Sequence, residues 1–186
     1  MSTAPQLHHS YEDYLSVLER SDVKLEYCDG LIDAMASGTP AHAELAANTI
    51  AVLKRLLSSC AVFSSDLKIR VEAVDLAAFP DASVLCGARQ VSAIDRNALT
   101  NPLVLVEVTS SSTEAYDRGA KLRHYQRIPA LSAVLIVTHR APRITVVRRT
   151  ATGWDESEEH GGGFVELAEP RLRFAVDEVY AGVVLD

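Results

Sequence analysis

Residues 103–108 read Leu-Val-Leu-Val-Glu-Val, an apolar run that only Glu107 interrupts. Apolar residues without alternation predict a strand that is covered on both faces, as in the middle of a parallel or mixed sheet. A carboxylate in such a strand costs several kcal/mol unless a charged group meets it. Buried carboxylates are therefore found mostly at ion pairs, metal sites and catalytic sites, which makes Glu107 the first candidate site residue.

Signals on both sides of this strand predict a mixture of helices and strands. Asp29-Gly30 is typical of a tight hairpin turn. Thr39-Pro40 predicts an N-cap followed by proline at the first helical position. Ser111 and Glu114 fit a capping box for the helix that follows the apolar strand.

The predicted elements follow from these signals and from hydrophobic periodicity. They are helices over 11–19, 41–58 and 112–127, and strands over 25–28, 31–35, 62–64, 67–71, 82–86, 103–109, 131–137, 143–149 and 165–167. Gly161-Gly162-Gly163 is a turn that lacks the lysine and the strand–helix context of a phosphate-binding loop. We expect one α/β or α+β domain over residues 1–186.

Composition narrows the class of protein. The chain has 186 residues, of which 48% are hydrophobic and 23% charged, as in ordinary globular proteins. No run approaches the roughly 18 apolar residues of a membrane span, and residues 1–6 show no signal peptide. Cys28, Cys60 and Cys86 are odd in number and widely spaced, so we expect neither a disulfide framework nor a zinc site. These features favour a reducing cytoplasm.

The net charge of −7 argues against a protein that coats nucleic acid through bulk electrostatics. Residues 117–149 nevertheless hold eight Lys or Arg and a single acid, Asp117. This segment forms either a local basic face or an ordinary solvated surface. No nucleophile motif surrounds any cysteine or histidine.

Three residues suggest metal-dependent phosphate chemistry. Asp81 directly follows Pro80 at the start of a strand, and Glu107 ends another. If those strands are neighbours, both carboxylates meet at one end of the sheet and offer the oxygen ligands that Mg²⁺ or Mn²⁺ prefers. Such an ion lowers the pKa of a bound water, and the ammonium of Lys121 on the next helix can neutralise a phosphate.

On that helix, Asp117, Lys121 and Tyr125 are spaced at i, i+4 and i+8 and share one face. A polar line of this kind fits the wall of a cleft and fits a solvent-exposed side equally well. The spacing alone therefore leaves both interpretations open.

Several motifs in order resemble one family, the Uma-type bacterial restriction endonucleases of the PD-(D/E)XK nuclease superfamily. The matching stretches lie between about Tyr11 and Arg149. They are residues 25–30 (Leu-Glu-Tyr-Cys-Asp-Gly), 40–42 (Pro-Ala-His), 65–67 (Ser-Asp-Leu), 80–81 (Pro-Asp), 107–110 (Glu-Val-Thr-Ser) and 115–125. Each motif is common by itself, whereas the ordered set is specific.

The resemblance implies a restriction-endonuclease-like mixed central sheet flanked by helices and a metal-dependent phosphodiesterase site. By position, Asp81 and Glu107 would be the metal ligands for Mg²⁺ or Mn²⁺, and Glu26 would be the additional acid near the N-terminus. The superfamily's usual lysine stands two residues after the second acid, where this chain has Thr109. The resemblance therefore points to Lys121 as a lysine moved onto the next helix. The implied catalytic set is Asp81, Glu107, Lys121 and Glu26.

The function expected on these grounds is a Mg²⁺-dependent endonuclease that hydrolyses DNA, and the resemblance also implies a homodimer. One alternative is a catalytically inactive protein that keeps the nuclease fold and binds nucleic acid or another partner. The acidic net charge and Thr109 favour that alternative. A further alternative is a nuclease acting on RNA or on modified or structured nucleic acid.

Each candidate also has an ordinary structural explanation. Asp81 fits a turn after proline, Glu107 a structural ion pair, Lys121 a helix surface and Glu26 the side of a hairpin. His42, Asp66 and Tyr125 either contact the site or are simply packed or exposed, and the sequence does not assign their roles.

Overall fold

The computed structural model describes residues 8–35 and 38–185. The helices are α1 (Tyr11–Leu18), α2 (Pro40–Leu56), α3 (Glu114–Tyr116), α4 (Leu122–Tyr125) and α5 (Val176–Tyr180). A π-helical turn, Asp117–Lys121, joins α3 to α4, and a 3₁₀ turn covers Glu72–Val74. The strands are β1 (Leu25–Cys28), β2 (Leu31–Ala34), β3 (Ala61–Ser64), β4 (Lys68–Val71), β5 (Leu76–Ala78), β6 (Ala82–Leu85), β7 (Ala98–Leu99), β8 (Val104–Val108), β9 (Ala133–Val137), β10 (Arg143–Thr150), β11 (Gly153–His160), β12 (Phe164–Leu167) and β13 (Leu172–Ala175).

A six-stranded mixed sheet in the order β11-β10-β9-β8-β6-β3 forms the centre of the fold. Strands β8 and β9 run parallel, and β6 runs antiparallel to β8. All five residues of β8 and all five of β9 are buried, as continuous hydrophobicity predicts for strands covered on both faces. The expected mixed sheet flanked by helices is confirmed.

The side chains of β8 alternate between two hydrophobic cores. Val104, Val106 and Val108 face the core formed with α2, α5 and the β12–β13 pair. Leu105 faces the opposite core, which includes α4 and strands of a second sheet. Glu107 comes two residues after Leu105 and lies on the same face of the strand, so it points toward that second core.

The second sheet has five strands in the order β2-β1-β5-β4-β7. Its first hairpin turns at Asp29 and Gly30, both with positive φ, which confirms the predicted turn. Helix α1 packs on this sheet through Tyr11 and Tyr14. The Tyr11 hydroxyl donates to Asp95, whose carboxylate also pairs with buried Lys68 at 2.6 Å.

Helix α2 begins as predicted. Thr39 is the N-cap, its hydroxyl accepts from the backbone N–H of His42, and Pro40 is the first helical residue. Beyond its end, Cys60 forms a disulfide with Cys86, which directly follows β6. The expectation of no disulfide was wrong because residues 26 positions apart in sequence come within 4.4 Å (Cα–Cα), which spacing along the chain cannot reveal.

The start of the helix after β8 differs from the prediction. Thr113 is the N-cap of this helix and makes no side-chain cap hydrogen bond, so the predicted capping box of Ser111 and Glu114 does not form. The Ser110 hydroxyl accepts from the Thr113 N–H at 3.2 Å, and the Thr113 hydroxyl accepts from the Ser110 N–H at 3.3 Å. The predicted box was wrong because Ser110 and Thr113 bond each other in the turn before the helix.

Several short or polar elements were not predicted. Strand β11 has the acidic sequence Gly-Trp-Asp-Glu-Ser-Glu-Glu-His, which is unfavourable for a strand. It forms because it is an edge strand whose acids meet arginines of β10, such as Glu158 with Arg143. Strands β5 and β7 are too short to show periodicity, and β13 and α5, which follow β12, were also not predicted.

The basic segment 117–149 does not form a uniform basic face. Arg118 donates to Thr145 and pairs with Glu114, while Arg148 pairs with Glu159. Arg149 donates to backbone carbonyls, and Lys121 is buried. Among the described residues, no helix is long and apolar enough to cross a membrane.

Candidate active site

The two candidate metal ligands lie on neighbouring strands. The last pair of the β6–β8 ladder is Ala82 with Val106, and the same register continued by one residue brings Asp81 opposite Glu107. Side chains opposite each other on antiparallel strands lie on the same face, about 5 Å apart at Cβ. Asp81 Oδ2 accepts from the Val108 N–H at 2.7 Å, which holds its carboxylate against β8.

Lys121 reaches this end of the sheet from the π-helical turn. Its Nζ lies 3.1 Å from Glu107 Oε1 and 3.0 Å from Glu26 Oε1. A third carboxylate, that of Asp117, is 3.8 Å away. The lysine side chain is only 5% exposed, so it is not a helix-surface lysine.

Glu26 enters the cluster from β1 of the second sheet. Its Oε1 accepts from the Phe79 N–H at 3.2 Å and also meets Lys121. Phe79 stands two residues before Asp81. Glu26 therefore connects the first hairpin both to the segment that carries Asp81 and to the lysine.

The polar face of the helix after β8 turns inward. Asp117, Lys121 and Tyr125 are all buried, which excludes the solvent-exposed interpretation of their spacing. The Tyr125 hydroxyl donates to Glu107 Oε1 at 2.6 Å. Glu107 is therefore held on one oxygen by both a phenol and an ammonium.

The charges in this cluster influence one another. Burial raises the pKa of Glu107 to about 8, with further contributions from Asp81, Asp117 and Glu26, although Lys121 opposes the shift. Burial also raises the pKa of Asp117. Burial alone would lower the pKa of Lys121, but its three carboxylate neighbours outweigh that effect and raise it, so Lys121 stays a cation.

The other three residues flagged in the sequence have different positions. His42, in the first turn of α2, has Nε2 3.4 Å from Asp81 Oδ2, and this hydrogen bond raises the pKa of His42. Tyr125 is in the cluster. Asp66 lies outside it, since its exposed side chain pairs with Lys24 at 2.7 Å.

Thr109 occupies the position where the resemblance places the superfamily's usual lysine. It is fully buried, and its hydroxyl lies 3.0 Å from His139 Nδ1. The ammonium beside Glu107 belongs instead to Lys121, which lies on the helical segment that follows β8. The contact between Thr109 and His139 has no signal in the sequence, because it joins the ends of two strands 30 residues apart.

The donor set fits a hard divalent cation. Within the described residues, the polar contacts of Glu107 fall on Oε1 and those of Asp81 on Oδ2, which leaves one oxygen of each carboxylate for another ligand. No group of three or more His, Cys, Asp or Glu in that part of the chain could hold a metal ion. A pair of carboxylates is nevertheless compatible with Mg²⁺, which usually binds one or two carboxylates and keeps several waters.

A cavity of about 300 Å³ opens beside the cluster, and we call it the acidic cavity. It is lined by Glu26, Cys28, Asp33, Ala34, Met35, Thr113, Tyr116, Asp117 and Lys121. The Cys28 thiol lies 3.7 Å from His124 Nδ1, but burial and nearby acids raise its pKa. The thiol form is a poor nucleophile, which argues against cysteine-based chemistry here.

Comparison with known proteins agrees with this architecture. A solved structure described as "a putative nuclease belonging to DUF820" from Anabaena variabilis matches with a TM-score of 0.76 and 14% identity, covering 92% of this chain and 98% of that one. At that identity the likeness shows the fold alone. Two uncharacterized Synechocystis proteins are also similar. One, slr1290, is 35% identical over 97% of this chain and 96% of its own length, and the other, sll1609, is 27% identical over 71% and 76%.

A family model also matches residues 11–176, a span that contains Glu26, Asp81, Glu107 and Lys121. The description of that family is "Putative restriction endonuclease". With this match and the 35% identical relative, the chain belongs to the Uma2 family.

Proposed function

We propose that this protein is a metal-dependent endonuclease that hydrolyses phosphodiester bonds of DNA. The observation that carries the proposal is the buried cluster in which the cross-strand pair Asp81 and Glu107 meets the ammonium of Lys121, 3.1 Å from Glu107. Family membership and the nuclease-like fold support the reaction class.

In this proposal Asp81 and Glu107 are the residues that would hold a Mg²⁺ or Mn²⁺ ion. When bound, such an ion supplies an activated water and stabilises negative charge on the phosphate. Lys121 adds a fixed positive charge for the phosphate, since preorganised cations stabilise charge that develops in the transition state. Glu26 and Tyr125 act as positioning residues, because Glu26 holds Lys121 and Tyr125 orients Glu107.

A plasmid-nicking assay tests the proposal. Purified protein with Mg²⁺ or Mn²⁺ is expected to convert supercoiled DNA to the nicked form, and EDTA is expected to stop the reaction. Asp81→Asn and Glu107→Gln each remove one anionic ligand while keeping side-chain size, so both should abolish nicking. Asp66→Asn is the matched control, because Asp66 is an exposed acid outside the cluster. Nicking that persists in both site variants would contradict the proposal.

A second candidate is a protein that keeps the fold and binds nucleic acid or a partner without cutting. Thr109 at the usual lysine position, already bonded to His139, favours it. Calorimetric titration with Mn²⁺ separates the two functions. The endonuclease should bind the ion and lose that binding in Asp81→Asn, whereas no binding at millimolar Mn²⁺ would favour the non-catalytic function.

A further inference from the structure

A second cavity of about 300 Å³ lies where β8 ends, and we call it the hydroxyl cavity. It is lined by Thr39, Thr109, Ser110, Ser111, His139 and Arg140. These side chains are hydroxyls, an imidazole and a guanidinium, all of which can donate hydrogen bonds to an anion. The acidic cavity, by contrast, has three carboxylates in its wall. Without a bound metal ion, a phosphate group is therefore favoured in the hydroxyl cavity over the acidic one, where three carboxylates outnumber the single ammonium of Lys121.

The hydroxyl cavity is placed where a neighbouring nucleotide would lie. Thr109 stands two residues after Glu107, so its side chain is on the same face of the strand and about 6.6 Å further along. Along one strand of B-DNA, phosphates recur about every 3.4 Å of helix axis. The offset of about 6.6 Å is roughly two such steps, so the cavity is within reach of a phosphate that neighbours one near Asp81 and Glu107.

Three elements, β8, β9 and α2, bring the walls of the cavity together. Strands β8 and β9 run parallel with Val108 beside Val137, so the residues that follow them meet at the same edge of the sheet. Thr39 caps α2, whose first turn also carries His42 against Asp81. The cavity and the carboxylate pair thus share the same supporting elements.

His139 and Arg140 form a connected pair at this cavity. His139 is 6% exposed, and its Nε2 accepts from Arg140 Nε at 3.3 Å, which assigns the proton of the neutral ring to Nδ1, facing Thr109 Oγ1. The Arg140 side chain is 62% exposed and its Nη2 lies 3.6 Å from Glu114. The guanidinium keeps further N–H donors beyond these contacts. It is thereby positioned by a buried histidine and remains open to an anion from solvent.

We propose that the hydroxyl cavity binds a backbone phosphate of nucleic acid adjacent to the phosphate that is cleaved. Arg140 supplies the charge, and Ser110 and Ser111 supply hydroxyl donors that can rotate toward the phosphate. Contacts of this kind set the register of a strand and carry no sequence information. The inference deepens the proposed function and rests on it for the identity of the cleaved phosphate.

Binding of a short fluorescein-labelled DNA duplex, followed by anisotropy in EDTA over a range of salt concentrations, tests the inference without any cleavage. Arg140→Glu is expected to weaken binding at least about tenfold, the effect of losing one charge-assisted hydrogen bond. Arg140→Ala should reduce the slope of log K against log salt by about 1. Ser111→Asp, which places a carboxylate at an exposed lining position, should also weaken binding.

Arg123→Glu is the matched control, because Arg123 is exposed on α4, does not line the hydroxyl cavity and undergoes the same change of charge. Equal weakening by Arg123→Glu and Arg140→Glu would overturn the inference in favour of bulk electrostatics. Inorganic phosphate serves as the competitor. Displacement of the duplex by inorganic phosphate well below millimolar concentration would show a free-phosphate site and would also overturn the inference. Because the assay contains no metal, loss of nicking and loss of this binding are distinguishable outcomes.

Discussion

Glu107 is buried among four charged groups (Lys121, Asp81, Asp117 and Glu26) and a phenol, and this combination determines its pKa. The carboxylate lies on a strand whose other residues are all apolar, so its solvation must come from Lys121 and Tyr125. Burial raises the pKa of this group even with Lys121 beside it, and the protonated form is the cheaper one to bury. A bound divalent ion would favour the ionised form instead.

We predict that the free energy of unfolding depends on pH through Glu107 and that Glu107→Gln removes this dependence. The pKa of Glu107 rises from 4.5 in its ordinary state to about 8 in the fold, so the folded protein binds the proton more tightly than the unfolded chain. The contribution of Glu107 to the free energy of unfolding is therefore complete below about pH 4.5 and is lost as the pH rises toward about 8. The slope of the wild type in EDTA should exceed that of Glu107→Gln by up to about 1.4 kcal/mol per pH unit.

Urea unfolding in EDTA at a series of pH values measures the difference, with Asp66→Asn as the control that keeps Glu107. Parallel curves for the wild type and Glu107→Gln would show that Glu107 ionises normally in the fold.

Among the elements, the helix after β8 matters most because its middle is a π-helical turn. This turn, Asp117–Lys121, ends with the lysine whose ammonium enters the cluster. Single π turns inside α-helices occur frequently at functional sites. Gly119 lies inside it, and a Cβ added there would meet no heavy atom within 4 Å.

We predict opposite effects for alanine at two glycines. Gly119→Ala should stabilise the protein by about 0.5–1 kcal/mol, because it restricts the unfolded chain and nothing in the folded one blocks it. Gly30→Ala should destabilise it by about 1–2 kcal/mol, since Gly30 has φ +83° and its Cβ would lie 2.4 Å from the His8 ring. Urea unfolding measures both changes. Destabilisation by Gly119→Ala would show that the π turn depends on glycine, which contradicts the open space around it.

Over the whole molecule, the Cys60–Cys86 disulfide joins the end of α2 to the end of β6 and so connects the helical layer to the central sheet. A crosslink that closes 26 residues of chain restricts the unfolded ensemble. Its contribution adds to that of the core that α2 forms on this sheet through Leu45, Val52 and Leu53.

We expect reduction of this disulfide to lower the free energy of unfolding by about 3.5 kcal/mol on the chain-entropy estimate. Urea unfolding with and without dithiothreitol measures the change. Cys28→Ala should keep the full effect, because Cys28 is the free thiol of the described residues, while Cys60→Ala should remove it. Equal stability of the oxidised and reduced wild type would contradict this account.

Much of the fold was predictable because its signals are local. The Asp29-Gly30 turn, the Thr39 cap of α2 and the buried strand β8 depend on residues close in sequence, and the structure confirms them. The acidic strand β11 was missed because its stability comes from a partner strand. The predicted capping box was wrong because Ser110 and Thr113 bond each other before the helix begins. The disulfide was missed because its cysteines approach only in the folded chain.

The sequence by itself determined which residues are unusual: a carboxylate in an apolar strand, an acid after a proline and a polar line on the following helix. It did so because these patterns depend only on which residues are neighbours along the chain. Only the tertiary structure decided that Asp81 lies across from Glu107, that Lys121 and Tyr125 turn inward, and that Asp66 stays outside. Those outcomes depend on which strands pair and on how a helix packs against them, and both are set by contacts between distant parts of the chain.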